Sequence, residues 1–204
     1  MIARLMRRRG VTLIEAVLFI SIALAVIVGG LVFYQQAAIA SQTQATIRLA
    51  QALVAETRSR FRPDDAKIDN LDEVMVKAGA VPGNAVLDGT DGCWVQSQWG
   101  GCIAFKSSFI KSSGERYMEM KLYGIRPAVC ARIVPFDEAG NGVLGGGRTY
   151  AAVYSESSGK LVDGVNGWHS IAGGALTPAK AGALCSYADG TDDVYVVVTW
   201  RWNS

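Results

Sequence analysis

The segment that most constrains this chain runs from Arg7 to Phe33, RRRGVTLIEAVLFISIALAVIVGGLVF. Three consecutive arginines, Arg7-Arg8-Arg9, are joined by Arg4 and followed by Gly10. From Val11 to Phe33 the sequence is apolar and long enough to cross a bilayer as a helix. It carries one charge, Glu15. An ionised carboxylate in a bilayer costs on the order of several kcal/mol unless paired, and such a residue usually serves a function. Two plainer readings compete. A secretory signal cut after Ala38-Ile39-Ala40 would have an apolar core of only about 7–15 residues. A single-span anchor explains the length and the basic flank, but gives Gly10 and Glu15 no role. The paired arginines fit a twin-arginine signal poorly.

The 204 residues fit one domain, or one domain with an anchor. Twenty basic and 18 acidic residues give a formal net charge of +2. Residues 1–10 hold four Arg and no acid, so without them 16 basic residues face 18 acidic ones, a net −2. The basicity belongs to the first ten residues, where it keeps that end in the cytoplasm. No face for nucleic acid is left, and no nucleic-acid partner is expected.

All four cysteines, Cys93, Cys102, Cys130 and Cys185, follow the apolar segment. In an oxidising compartment they suggest two disulfides, with three pairings open. There is no C-x-x-C, and His169, the single His, has no Cys at zinc spacing, so no metal site is expected. Gly140-Asn141-Gly142-Val143-Leu144-Gly145 matches G-x-G-x-x-G literally. Its surroundings, Pro135, Asp137 and Gly145-Gly146-Gly147, suggest a flexible surface loop and not a dinucleotide site. Asp189, Asp192 and Asp193 with Gly190 read as a solvated turn, because calcium-ligand spacing is incomplete. No G-x-S-x-G elbow occurs. With one His and scattered carboxylates, neither an enzyme nor a cofactor is expected.

From Tyr34 to Arg62 there is no Gly or Pro, and good helix formers dominate. Ile39, Thr43, Ile47, Ala50, Val54, Thr57 and Phe61 form a stripe at spacings of three and four. Gln42, Arg48, Gln51 and Arg58 lie opposite. The apolar helix thus continues as an amphipathic one over 11–62, about 78 Å long, ended by Pro63. Gly29-Gly30 interrupts it, at about 1 kcal/mol per Gly. Close packing of helices and a point of unwinding explain the pair equally well.

Residues 63–204 are expected to form a head. Asp69 to Ala78 reads as a short helix, with Asp69 or Asn70 as its cap, followed by a turn at Val81-Pro82-Gly83. Tyr117 to Tyr123 alternates with Met118, Met120 and Leu122 inward, a half-buried strand. Pro127 opens a helix that contains Cys130. Tyr150 to Tyr154 is another strand. Thr177-Pro178 starts a helix that leads to Cys185. Val194 to Trp202 is a long β run suited to the centre of a sheet. Short strands interleaved irregularly with helices give an α+β head whose antiparallel sheet packs on the long helix. Trp94, Trp99, Trp168, Trp200 and Trp202 suit either a core or subunit contacts.

The run Gly10-Val11-Thr12-Leu13-Ile14-Glu15, behind a basic leader and before a long apolar helix, resembles the prepilin-peptidase signature of type IV pilins. The small helix over Asp69 to Ala78 followed by Ala80-Val81-Pro82, and the element Trp99-Gly100-Gly101, resemble type IVb pilins of the bundle-forming and conjugative thin-pilus kinds. The resemblance implies a leader of residues 1–10, an assembly segment over 11–33 and a lollipop-shaped subunit. It implies cleavage between Gly10 and Val11, methylation of the Val11 amine, and filament assembly through Glu15. It implies the pairing Cys130–Cys185 together with Cys93–Cys102. The function implied is the major structural subunit of a type IV pilus, polymerised through its helix into a helical homopolymer. A minor pilin, a secretion pseudopilin or an adhesive tip subunit is the alternative. The partners implied are further copies of itself, prepilin peptidase and the pilus assembly machinery. The location implied is the inner membrane for the precursor, then the extracellular pilus. The chain departs from the family in three ways. Its leader is short for type IVb, its first mature residue is Val where type IVa has Phe, and its apolar helix lacks the Pro of type IVa.

Overall fold

A computed structural model describes residues 12–60, 70–110, 115–156, 158, 161, 168–187 and 194–201. The chain divides into two compact units, Met1–Ser41 and Gln42–Ser204. The first helix, α1, runs Leu13–Arg60. Val11, Phe61, Arg62 and Pro63, expected at the ends of this helix, lie outside the described residues.

Within the second unit α1 buries Thr43, Thr46, Leu49, Ala50, Leu53, Val54 and Thr57. Four of these belong to the expected stripe. Ile47 is only half-buried, and Thr46, Leu49 and Leu53 carry the seam with them. The buried face is wider than a single row of residues, as a helix against a core requires. Thr57 Oγ1 donates to Leu53 O at 2.7 Å and also approaches Met75 Sδ at 3.1 Å, so its hydroxyl is satisfied against α2, Leu71–Lys77. Asn70 stands at the N-cap of α2 but makes no side-chain cap bond. Asp69 lies outside the described residues. Asp72, in the first turn, is buried, and burial raises its carboxyl above the usual range.

Five antiparallel strands follow: β1 Ile103–Ile110, β2 Glu115–Tyr123, β3 Arg148–Ser155, β4 Trp168–Ser170 and β5 Val194–Arg201. Their order is β1-β2-β5-β3-β4, so the expected long β run is central. The fold is α+β, a long N-terminal helix followed by a domain built on this sheet. Met118 lies opposite Trp200, Met120 opposite Val198 and Leu122 opposite Val196. All six are buried, and Ala151 and Val153 of β3 join them. The pleat sends alternate residues to opposite faces, so one face is core and the other carries Tyr117, Glu119, Lys121 and Tyr123. β1 and β4 were not expected. In β1 the outward Lys106 dilutes the signal of buried Ile103 and Phe105, and β4 has only three residues. Lys106 pairs with Glu119 across β1 and β2 at 3.1 Å, in register.

α3, Pro127–Ile133, begins at its proline. α4, Pro178–Leu184, is capped by Thr177, whose hydroxyl accepts from Lys180 N–H. Disulfides join Cys93 to Cys102 and Cys130 to Cys185. The second links α3 to the C-cap of α4 across 55 residues, and in the chain-entropy model closing such a loop contributes about 4 kcal/mol.

The glycine run lies at the surface, with Asn141, Gly142 and Val143 exposed, but it is tied to what lies beneath it. Asp137 accepts from the backbone N–H of Ala139 and Asn141, at 2.9 and 2.8 Å, and holds the turn shut. The chain then wraps over Arg148, which has no exposed surface. Its Nη1 donates to Ile133 O at 2.9 Å and Val134 O at 3.1 Å, and its Nη2 donates to Pro135 O. A Cβ on Gly140 would strike the Arg148 backbone, and one on Gly142 the guanidinium itself. Gly140 also has φ 77°, which favours glycine. These glycines make room for a buried arginine. A strand, β3, follows them, where a dinucleotide site needs a helix.

Burial raises three phenols on the outer face of the sheet. Tyr123 reaches about 12, helped by the charge of Glu156. Tyr150 and Tyr195 are also raised, first by burial and then through Tyr154. Folded protein therefore keeps protons that the unfolded chain releases near pH 10, and the stability this gives is lost as pH rises toward 12. The unfolding midpoint should fall steadily across that window, and Tyr123→Phe should flatten the decline. Tyrosinate absorbance at 295 nm that rises fully by pH 10.5 in the folded protein would refute this.

Candidate functional site

The candidate assembly segment is the apolar part of α1 in the first unit. Its large apolar side chains from Leu13 to Tyr34 are half or more exposed, Leu13 at 81%. The most apolar 18-residue stretch has a mean hydropathy of 2.8 and none of it is buried. This one helix is long and apolar enough to cross a membrane. Ser21, a polar residue within it, turns its hydroxyl back onto Val17 O at 2.8 Å, so it asks nothing of lipid.

Glu15 does not stand alone at the start of the helix. Its Oε2 accepts from the Thr12 backbone N–H at 2.9 Å and from Thr12 Oγ1 at 3.0 Å. Thr12 Oγ1 in turn accepts from Glu15 N–H at 3.3 Å. This is a capping box, the reciprocal arrangement of T-x-x-E in which two orphan donors of a helix start are satisfied. The motif is legible as Thr12-Leu13-Ile14-Glu15, and the sequence reading assigned Glu15 but missed Thr12. The carboxylate is thus held at the end of the helix where the backbone dipole is positive. The peptide N–H that binds it belongs to Thr12, so a cut between Gly10 and Val11 leaves that bond in place.

Gly29 and Gly30 are helical and exposed, and a Cβ on either would meet nothing within 4 Å. Neither contact with the rest of the chain nor backbone conformation requires glycine there. Gly10 and Val11, the expected processing site, lie outside the described residues. So do Asp189, Gly190, Asp192 and Asp193 of the acidic turn. Among the described residues no cluster of three His, Cys, Asp or Glu side chains is placed to hold a metal ion.

The tryptophans divide. Trp200 is fully buried on β5, Trp94 and Trp99 are half-buried, and Trp168 is 52% exposed on β4. Trp202 lies outside the described residues. The opposite face of α1 is not simply solvated, since Gln51 Nε2 donates to Val143 O at 2.6 Å and Arg58 Nη2 to Gly146 O at 2.8 Å. Both bonds tie the helix to the glycine-rich turn over Arg148.

Comparison with protein-family models and with curated proteins finds no match. The long apolar N-terminal helix, the antiparallel sheet and the disulfides are compatible with a pilin-like fold.

Proposed function

We propose that the chain is a type IV pilin of the IVb kind, the major structural subunit of a pilus. Prepilin peptidase would cut between Gly10 and Val11 and the new amine would be methylated. The precursor would reside in the inner membrane and the mature subunit in an extracellular filament, a helical homopolymer raised by the assembly machinery. The observation that carries this reading is Glu15. A single carboxylate, tied into a capping box by Thr12, heads an exposed helix that has no other charge before Arg48. A passive anchor gains only the cap from it, at the cost of a charge in lipid. A segment that must find one register among identical helices gains a specific electrostatic mark.

Surface filaments purified from the producing cell and analysed by mass spectrometry should give one dominant species starting at methylated Val11. Filaments made of another protein, with this chain as a trace component, would indicate a minor subunit. Gly10→Leu should leave uncleaved precursor in the membrane fraction, because Gly10 offers no side chain to a narrow protease site. Normal mature protein from that variant would defeat the processing assignment.

A further inference from the structure

The outer face of the sheet holds a groove of about 410 Å³, within the range of small-ligand sites. It lies between β2, β5 and β3, and the corner after β4 closes one end. Tyr117 and Glu119 come from β2, Thr149 and Tyr150 from β3, and Thr199 and Arg201 from β5. The register brings them together. Tyr117 lies opposite Arg201, Glu119 opposite Thr199, and Thr199 opposite Tyr150. None of this serves the core, which is on the other face.

The chemistry of the lining narrows the ligand. Glu119 only accepts hydrogen bonds when ionised, Arg201 only donates, and the Tyr and Thr hydroxyls do both. One cation and one anion in the lining favour a neutral ligand with many donor–acceptor groups. A phosphate or acidic ligand fits poorly, because Glu119 would face it. A peptide added as a strand fits poorly too. It needs a free sheet edge, and β2, β5 and β3 are each paired on both sides. The two tyrosine rings supply broad apolar faces. Trp168, half-exposed and outside the groove, stacks against Tyr150 with ring centroids 6.1 Å apart and holds that ring in place. Glu119 is steadied through Oε1 by Lys106 at 3.1 Å, and Tyr150 by a 2.9 Å bond between its hydroxyl and that of Tyr154.

We infer that this groove binds a neutral oligosaccharide. A pyranose ring has one apolar face of C–H groups and a rim of hydroxyls, each both donor and acceptor. The tyrosines meet the face, and Glu119, Thr149, Thr199 and Arg201 meet the rim. Each buried sugar hydroxyl needs a partner, and this set offers acceptors and donors side by side. The inference concerns the head alone and holds whether or not the chain assembles into filaments.

The test uses the full chain in phosphocholine micelles, since a sugar-headed detergent would compete for the groove. It is applied to an immobilised panel of neutral and sialylated oligosaccharides, with inorganic phosphate as a separate competitor. Wild type should retain at least one neutral glycan, with the free sugar competing at about 1 mM or below, the weak end of useful affinity. Tyr117→Ala removes a ring face, and Glu119→Gln removes an ionised acceptor at nearly constant shape. Each should weaken binding at least tenfold while the unfolding midpoint stays near that of wild type. Four results would overturn the inference: no neutral glycan retained, retention of sialylated glycans only, displacement by phosphate, or equal retention by wild type and folded Glu119→Gln. Glu119→Gln keeps the test decisive if Tyr117→Ala proves unstable.

Discussion

Arg148→Met should destabilise the head by about 4 kcal/mol, the size of loss seen when one partner of a buried charged network is removed. The guanidinium donates to three successive carbonyls, Ile133, Val134 and Pro135, at and just beyond the C-terminal end of α3. Helix ends leave carbonyls without intrahelical partners, and a cation there also meets the negative end of the dipole. Met fills similar volume but satisfies none of them, and each buried acceptor left unpaired costs about 1–3 kcal/mol. Some of that is offset, because burying the charge is itself unfavourable. Burial lowers the Arg148 pKa to about 10, against the opposing pull of Asp137. The group still carries its charge at neutral pH. Thermal unfolding should show the midpoint about 10 °C lower, at about 2–4 °C per kcal/mol for a chain of this size. Arg148→Lys should lose most of the same stability, because one ammonium cannot span three carbonyls. A change below about 1 kcal/mol in Arg148→Met would mean that the turn over it re-pairs those carbonyls by itself.

That arginine also marks where the sequence stopped being legible. Gly140 to Gly145 looks like a phosphate-binding motif or a loose loop when read as spacing alone. The reason for its glycines is a side chain six residues beyond Gly142, folded back beneath them, and no local pattern encodes that contact. Similar logic explains the missed strands. β5 was legible because both of its faces are rich in β-branched residues. β1 was not, because Lys106-Ser107-Ser108 stands where an apolar residue would have signalled the strand, and its place comes from pairing with β2. The helices opened by Pro127 and by Thr177-Pro178 were legible because their start signals are local chemistry. In α1 the stripe was found but too narrow. Small residues such as Thr46 bury well where a helix lies close to its neighbours, and a hydropathy stripe passes over them. In the candidate site Glu15 stood out as a charge among apolar residues. Its partner Thr12 is only a common polar residue until the T-x-x-E spacing is noticed.

Glu15→Ala should leave processing and membrane insertion intact and reduce filament number at least tenfold. In the assembled state the carboxylate would meet the methylated amine of a neighbouring Val11, an opposite charge in an apolar setting where attraction is little screened. Two roles are mixed in that variant, because Ala also removes the acceptor of the capping box. Glu15→Gln separates them. Gln serves the same position of a capping box but carries no charge. If charge pairing draws subunits into register, Gln should fail as badly as Ala, and neither variant should enter filaments efficiently when co-expressed with wild type. If the cap alone matters, Gln should assemble and Ala should not, and the intersubunit pair is then discarded. Filaments at wild-type numbers from processed, stable subunits of both variants would remove Glu15 from assembly altogether. The filament reading would then rest on Gly10 and the basic leader, which a simpler processed anchor shares.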